Sequence, residues 1–273
     1  MEHQYLYYMI ILIKKSTIPG GAKASMELST QAVKGCIKLR SGKFSFDNFK
    51  RVAYHTATGE GLHNGVLDMN YFKSKVLPAI RSVVELCASY NIKPEEISVA
   101  ATAVYREASN CAEIVDLVER ETGINMTVFT PDQEALGAIT GFNKCTNLDT
   151  KDKYVVSVDL GGGSTEIAIS KNGKVQYSKS FRYGSLLGGD RSFIYQLPKV
   201  DGEVILIANG STIKKAVAGG KISNEELMDT KYPINSLNTT VAPAAKVYKE
   251  LASIYNTNYI VGNGCGLDYA LCL

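Results

Sequence analysis

The chain has 273 residues, 45% of them hydrophobic and 21% charged, enough to bury a sizeable core in one large domain or two smaller lobes, and this composition excludes disorder and collagen-like repeats. Thirty basic residues against 27 acidic ones leave a formal charge of +3, too little to predict a duplex nucleic-acid binder. Any anion site must therefore be local.

In chain order, the apolar run Tyr5 to Ile13 is far shorter than the ~20 residues that cross a bilayer and reads as a buried strand of a cytoplasmic protein. Pro19-Gly20-Gly21 then precedes a polar stretch with Lys34, Lys38, Arg40 and Lys43, which predicts a strand and a turn. Asp68 is placed to N-cap a helix reaching about Tyr90, with Phe72, Val76, Ile80, Val83, Val84 and Cys87 on one stripe. Pro78 must kink that helix or mark its true start. Ile97 to Val104 predicts a buried strand, Asn110 with Glu113 caps a helix that Gly123 closes, and Ile124 to Phe129 forms the next strand. Thr130 with Pro131 and Gln133 makes a capping box, so Glu134 falls in the first turn of a new helix. No internal repeat is visible, and strands alternating with helices give an α/β fold class of mixed sheets flanked by helices. The six cysteines lie far apart, with no zinc spacing, and predict reduced thiols.

The most informative stretch is Tyr154 to Ser170, a β-rich run, a glycine-rich turn and a second alternating run, after which Asn172-Gly173 turns into a third strand. A P-loop or a dinucleotide fingerprint would need a helix straight after the glycines, and here a strand follows. With the turn centred on Gly162 and Gly163, Leu160 faces Thr165 and Asp159 faces Glu166, so the two carboxylates share one sheet face. The other face then holds Val156, Val158, Leu160, Ile167 and Ile169. Opposed carboxylates ~5 Å apart repel unless a cation or proton sits between them, and a hard ion such as Mg²⁺ suits them. Gly161, Gly162 and Gly163 let backbone amides close on phosphate oxygens, with Ser164 and Thr165 offering hydroxyls. Downstream, Val204 to Ala208 leads through Asn209, Gly210 and Ser211 into a short helix, and Tyr259 to Val261 through Gly264 and Gly266 into another, each aiming amides at one sheet edge.

Asp-Leu-Gly-Gly-Gly-Ser-Thr-Glu on a β-hairpin resembles the phosphate loop of the actin, sugar kinase and Hsp70 superfamily, and more narrowly that of the exopolyphosphatase and guanosine pentaphosphate phosphohydrolase family. Ala100 to Asn110 resembles the A-T-S-A-x-R-x-A-x-N segment of that family. Thr130 to Ala135 is similar to its S-G-x-x-E-A segment, with Pro131 where glycine is usual. Gly59 to Leu62, Tyr183-Gly184-Ser185 and Gly264 to Leu267 are further landmarks in the same order.

The resemblance implies two actin-like lobes around a cleft, residues 1–129 and 130–273. It makes Glu134 the base that activates water, Arg106 the neutraliser of the phosphate chain, and Asp159 and Glu166 the holders of a divalent cation. It places the phosphate on Gly161 to Ser164, to which the residue types add the Thr165 hydroxyl and the downstream helix start at Gly210 and Ser211. The implied activity is Mg²⁺-dependent release of terminal phosphate from polyphosphate or guanosine pentaphosphate. Neither duplex nucleic acid nor a membrane is expected as partner, and, dimers being common in that family, a homodimer is. Family members begin with a strand ending in Asp-x-Gly-Ser-Asn-Ser or Thr. No such motif stands in this chain, and Tyr8 to Ile13 resembles the strand after it, so Met1 is expected to fall inside a missing first loop. That absence motivates an alternative, a paralogue that binds polyphosphate or a guanosine alarmone as a sensor or partner subunit without turnover.

Overall fold

The computed structural model describes residues 23–40, 45–145, 148–185, 188–209, 221–223, 241–262 and 266–272, so the apolar run at Tyr5 to Ile13 lies outside the described residues. The chain falls into two compact units that part between Gln133 and Glu134, and the last helix, from Leu267, returns to the first unit. The division read from the sequence carries that helix with the second lobe. It packs on the first unit through Leu267 and Leu271 against Ala100 and Phe129 and through Tyr269 against Phe49, while the fully buried Asp268 pairs with Arg51 and Ser25 Oγ donates to the Asp268 carbonyl.

The first unit is built on a five-stranded sheet. Strands β1 (Lys23–Leu28), β2 (Ala32–Lys38) and β3 (Phe49–His55) form an antiparallel meander, a two-stranded ribbon of β4 (Leu62–His63) and β5 (Val66–Leu67) follows, and β6 (Ile97–Ala101) and β7 (Met126–Val128) run parallel to β1. Asp68 caps as expected, its Oδ1 accepting from the amides of Asn70 and Tyr71. The helical path then passes through a π-turn at Phe72–Val76 before α1 (Leu77–Ser89). Pro78 explains the detour, since it has no N–H for the carbonyl one turn back and fits only a first turn. Phe72, Val76, Ile80, Val83 and Cys87 enter the core as the stripe predicts.

Two local expectations change. The strand after Ile97 ends at Ala101, and Val104 lies in a short helix, α2 (Ala103–Glu107), because the Thr102 carbonyl accepts from Tyr105 and Arg106 and turns the chain. Asn110 precedes α3 (Cys111–Thr122) but does not cap it with its side chain. Its amide group instead exchanges two hydrogen bonds with the backbone of Leu67, at 3.0 and 2.8 Å. Gly123 closes α3 in the left-handed conformation, φ 73°.

Helix α4 (Pro131–Cys145) carries the reciprocal capping box, Gln133 Oε1 accepting from the Thr130 amide at 2.8 Å and Thr130 Oγ1 from the Gln133 amide at 3.2 Å. The second unit's sheet has the order β10-β9-β8-β11-β13-β12, with β8 (Tyr154–Leu160), β9 (Thr165–Lys171), β10 (Lys174–Phe181), β11 (Val204–Asn209), β12 (Lys221–Ser223) and β13 (Tyr259–Gly262). Asn172 and Gly173, at φ 50° and 75°, make the tight turn between β9 and β10 that their side chains favour. Val156, Val158, Leu160, Ile167 and Ile169 pack on α5 (Val241–Ile254), whereas Val155, Ala168, Ile205, Ile207 and Val261 pack on Ala135, Ile139 and Phe142 of α4. The final helix is α6 (Leu267–Cys272).

The orders β3-β2-β1-β6-β7 and β10-β9-β8-β11-β13 are the same topology twice. The structure therefore contains a repeat that the sequence hides: the Asp-x-Gly-Ser-Asn motif is absent, but a hairpin without it occupies the topological place of the first loop. The β1–β2 hairpin stands where β8–β9 stands, and the four residues between the paired Leu28 and Val33, Ser29-Thr30-Gln31-Ala32, contain no glycine to mark it.

Candidate functional site

The β8–β9 hairpin sets the register of the site. Asp159 pairs with Glu166 and Leu160 with Thr165 across the two strands, and the glycine bend leads into a strand. Asp159 also pairs with Asn209 on β11, and Glu166 with Ser180 on β10. Residues directly opposed project to one face, so Asn209, Asp159, Glu166 and Ser180 form a polar row across four strands. The Glu166 side chain is nearly buried, 3% exposed, and its Oε1 accepts from Ser180 Oγ at 2.6 Å. Asp159 is half-buried.

Beneath the row, Asn209 Nδ2 donates to Ser157 Oγ at 2.6 Å. The Tyr248 hydroxyl of α5 lies 3.0 Å from the Val158 carbonyl oxygen and 3.1 Å from that of Asn209, tying together the strand ends that present the row. Burial, then the nearby Asp159 carboxylate, push the Tyr248 pKa well above its usual value, so it remains a neutral donor.

The loop Gly161–Ser164 is closed by the Gly161 amide donating to the Ser164 carbonyl at 2.9 Å. None of its three glycines has a positive φ, so their use is close approach. A Cβ on Gly184 would stand 2.1 Å from the Gly162 carbonyl oxygen and 2.4 Å from the Gly163 nitrogen. Tyr183-Gly184-Ser185 thus braces the loop from below: the amide and the hydroxyl of Ser185 both donate to the Gly161 carbonyl, at 2.9 and 3.1 Å, and Thr165 Oγ1 donates to the Tyr183 carbonyl at 2.6 Å. Thr165 is buried and spends its hydroxyl on this brace.

Glu134 sits in the first turn of α4, half-buried. Helix α4 has 15 residues and β8 has 7, so both are roughly 20–25 Å long. A short link joins the end of the helix to the start of the strand, and Ala135, Ile139 and Phe142 lie along the sheet. The helix therefore runs back along the strand, which puts Glu134 at the Asp159 end. Arg106, on α2, donates from Nη1 to the Phe129 carbonyl at 2.9 Å. Gly210 and Ser211 lie outside the described residues.

Ser180, Asn209 and Tyr248 are site residues that the sequence reading does not single out. Counting from the Asn172-Gly173 turn opposes Lys179 to Glu166. A bulge between Val175 and Tyr177 slips the register by one residue and delivers Ser180 instead.

With this geometry in hand, the fold is an α/β actin-like fold, and the candidate site is a glycine-loop hairpin with paired acids. Solved structures share the fold. A Ppx/GppA protein from Aquifex aeolicus superposes with a TM-score of 0.76 at 19% identity, covering 92% of this chain and 96% of that one. An exopolyphosphatase from Cytophaga hutchinsonii gives 0.71 at 14%, covering 91% and 96%. The Ppx/GppA phosphatase family model matches residues 48–188, and the chain belongs to that family. Among curated proteins, it is 26% identical over 120 residues to a bifunctional 3-dehydroquinate synthase/phosphatase of Fusobacterium nucleatum, 44% of this chain and 18% of that protein. It is 27% identical over 130 residues to the cell division protein FtsA of Buchnera aphidicola, 47% of this chain and 28% of that one. The matched segments thus span under a third of these curated relatives. No helix among the described residues is long and apolar enough to cross a membrane. Cys36, Cys87, Cys111 and Cys272 are in the reduced, thiol form, all but Cys111 buried.

Proposed function

We propose that the protein is a divalent-ion-dependent phosphohydrolase that releases the terminal phosphate of inorganic polyphosphate or guanosine pentaphosphate. The observation that carries this is the pairing of Asp159 with Glu166 directly under a braced glycine loop. The donor set fits Mg²⁺, which takes one or two carboxylates and completes its shell with water and substrate phosphate. A carboxylate 3% exposed and opposed to a second acid is further stabilised by such a cation. When bound, the ion supplies charge neutralisation at the transferred group.

The chain's own residues do the rest. Amides of Gly161 to Ser164 hold phosphate oxygens, and Ser180 orients Glu166 by its hydrogen bond. Glu134, at a helix start beside the acid row, takes the proton of the attacking water. Arg106 neutralises charge on the bound phosphate chain. In-line transfer of this kind rests on positioning and electrostatics, with no covalent nucleophile.

A second reading, binding without turnover, is favoured by the glycine-free loop of the first hairpin, whose Glu27 is already occupied by Lys34. The experiment is phosphate release from long-chain polyphosphate and from guanosine pentaphosphate. The expected result is Mg²⁺-dependent release that disappears in Glu134→Ala. Equal release by that variant would remove Glu134 from the mechanism, and saturable binding without release by the wild type would establish the second reading.

A further inference from the structure

The two hairpins correspond position by position. Ser29 to Ala32 stand for Gly161 to Ser164, and each loop is closed by the same bond, Ser29 amide to Ala32 carbonyl at 3.0 Å and Gly161 amide to Ser164 carbonyl at 2.9 Å. Gly59, just after β3, approaches Thr30 as Gly184, just after β10, approaches Gly162: a Cβ there would stand 2.6 Å from Thr30 Cγ2. The row Asn209, Asp159, Glu166, Ser180 has its counterpart in Ala100, Glu27, Lys34, Ala53. Where the second unit opposes an acid to an acid, the first opposes an acid to a lysine.

Lys34 Nζ lies 2.5 Å from Glu27 Oε1, and the two side chains are 20% and 8% exposed. Glu27 Oε2 is buried and has no hydrogen-bond partner among the described residues. The carboxylate therefore takes its direct compensation from Lys34, with the Arg51 guanidinium attracting it from farther off, and an ammonium on one oxygen repels a divalent ion approaching the other. We propose that Lys34 is the resident cation of the first hairpin, filling the place that a divalent ion held by Asp159 and Glu166 would take in the second. On this account the first unit offers no divalent-ion site, and ion binding is confined to the second. The inference rests on the proposed ion site at Asp159 and Glu166 only for its reference point.

The test is Mn²⁺ binding by electron paramagnetic resonance, with thermal unfolding recorded with and without Mn²⁺. Wild type and Glu27→Gln are expected to bind one ion per chain. Lys34→Gln, leaving Glu27 bare, is expected to bind two and to gain a Tm rise with Mn²⁺ larger than that of wild type. Loss of the wild-type ion in Glu27→Gln, or no added ion in a folded Lys34→Gln, would overturn the proposal. Should Lys34→Gln unfold, recovery in Glu27→Gln/Lys34→Gln supports the counter-ion role and continued unfolding refutes it. A wild type that binds no ion would refute the Asp159–Glu166 pair of the proposed function, while the gain of one ion by Lys34→Gln would still decide the role of Lys34.

Discussion

Replacing Gly184 by alanine tests whether the Gly161–Ser164 loop, the proposed phosphate holder, is held in place by its neighbour. Gly184 has no positive φ, so alanine brings no backbone penalty and the whole effect is steric. The new methyl would meet main chain, 2.1 Å from the Gly162 carbonyl oxygen and 2.3 Å from its carbon, where ordinary contact needs ~3.5 Å. No side chain can rotate away, so the loop or the Tyr183–Ser185 segment must shift by roughly 1 Å. Overpacking of this kind costs about 1–3 kcal/mol, and a displacement of ~1 Å of a substrate-holding element costs ~10²-fold in rate. Urea unfolding and phosphate release measured on one preparation are expected to show both losses. Gly173→Ala, at φ 75° with nothing within 4 Å of the added carbon, serves as control and is expected to lower stability by about 1 kcal/mol without touching the rate. Wild-type stability and wild-type turnover in Gly184→Ala would refute the brace.

Ser180→Ala removes the 2.6 Å donor to Glu166; outer hydrogen bonds to a ligating group are typically worth ~10–100-fold in metal affinity, so Mn²⁺ titration is expected to show weakening of that order, and unchanged affinity would remove Ser180 from the site. Tyr248 ionises in the unfolded chain near pH 10 but well above that when folded. Its stabilisation is therefore complete below about pH 10 and is lost as pH rises toward the folded pKa, by ~1.4 kcal/mol per pH unit. Tyr248→Phe is expected to lose about 1–2 kcal/mol at pH 7 through the missing hydrogen bonds and to fall less steeply above pH 10 in a pH series of urea unfolding. An equally steep fall would assign the titration to other groups.

The second hairpin is legible in the sequence because face alternation and turn chemistry agree there: one register puts five apolar side chains on one face and Asp159 with Glu166 on the other. Its brace is only half legible. Tyr183-Gly184-Ser185 stands out as a landmark, yet nothing in it says that Gly184 touches Gly162. Ser180 is hidden by the bulge between Val175 and Tyr177, since an inserted residue leaves no compositional mark and a simple count delivers Lys179. The first hairpin escapes notice for the opposite reason: Ser29-Thr30-Gln31-Ala32 has side chains throughout, and the turn is held by carbonyls that accept from Thr56, Ala57, Gly59 and Thr102, contacts made between segments far apart in sequence. Asn110 shows the same limit on a smaller scale, a residue with every local reason to cap α3 that is claimed instead by Leu67.

The return of α6 to the first unit sets an order on synthesis. Arg51 leaves the ribosome early, while Asp268, its partner, is 217 positions later. Throughout most of translation that guanidinium lacks its carboxylate, and the sheet face that α6 covers stays open. The half of the molecule made first is thus the half finished last, and a nascent chain halted before Leu267 would be expected to expose that face to chaperones.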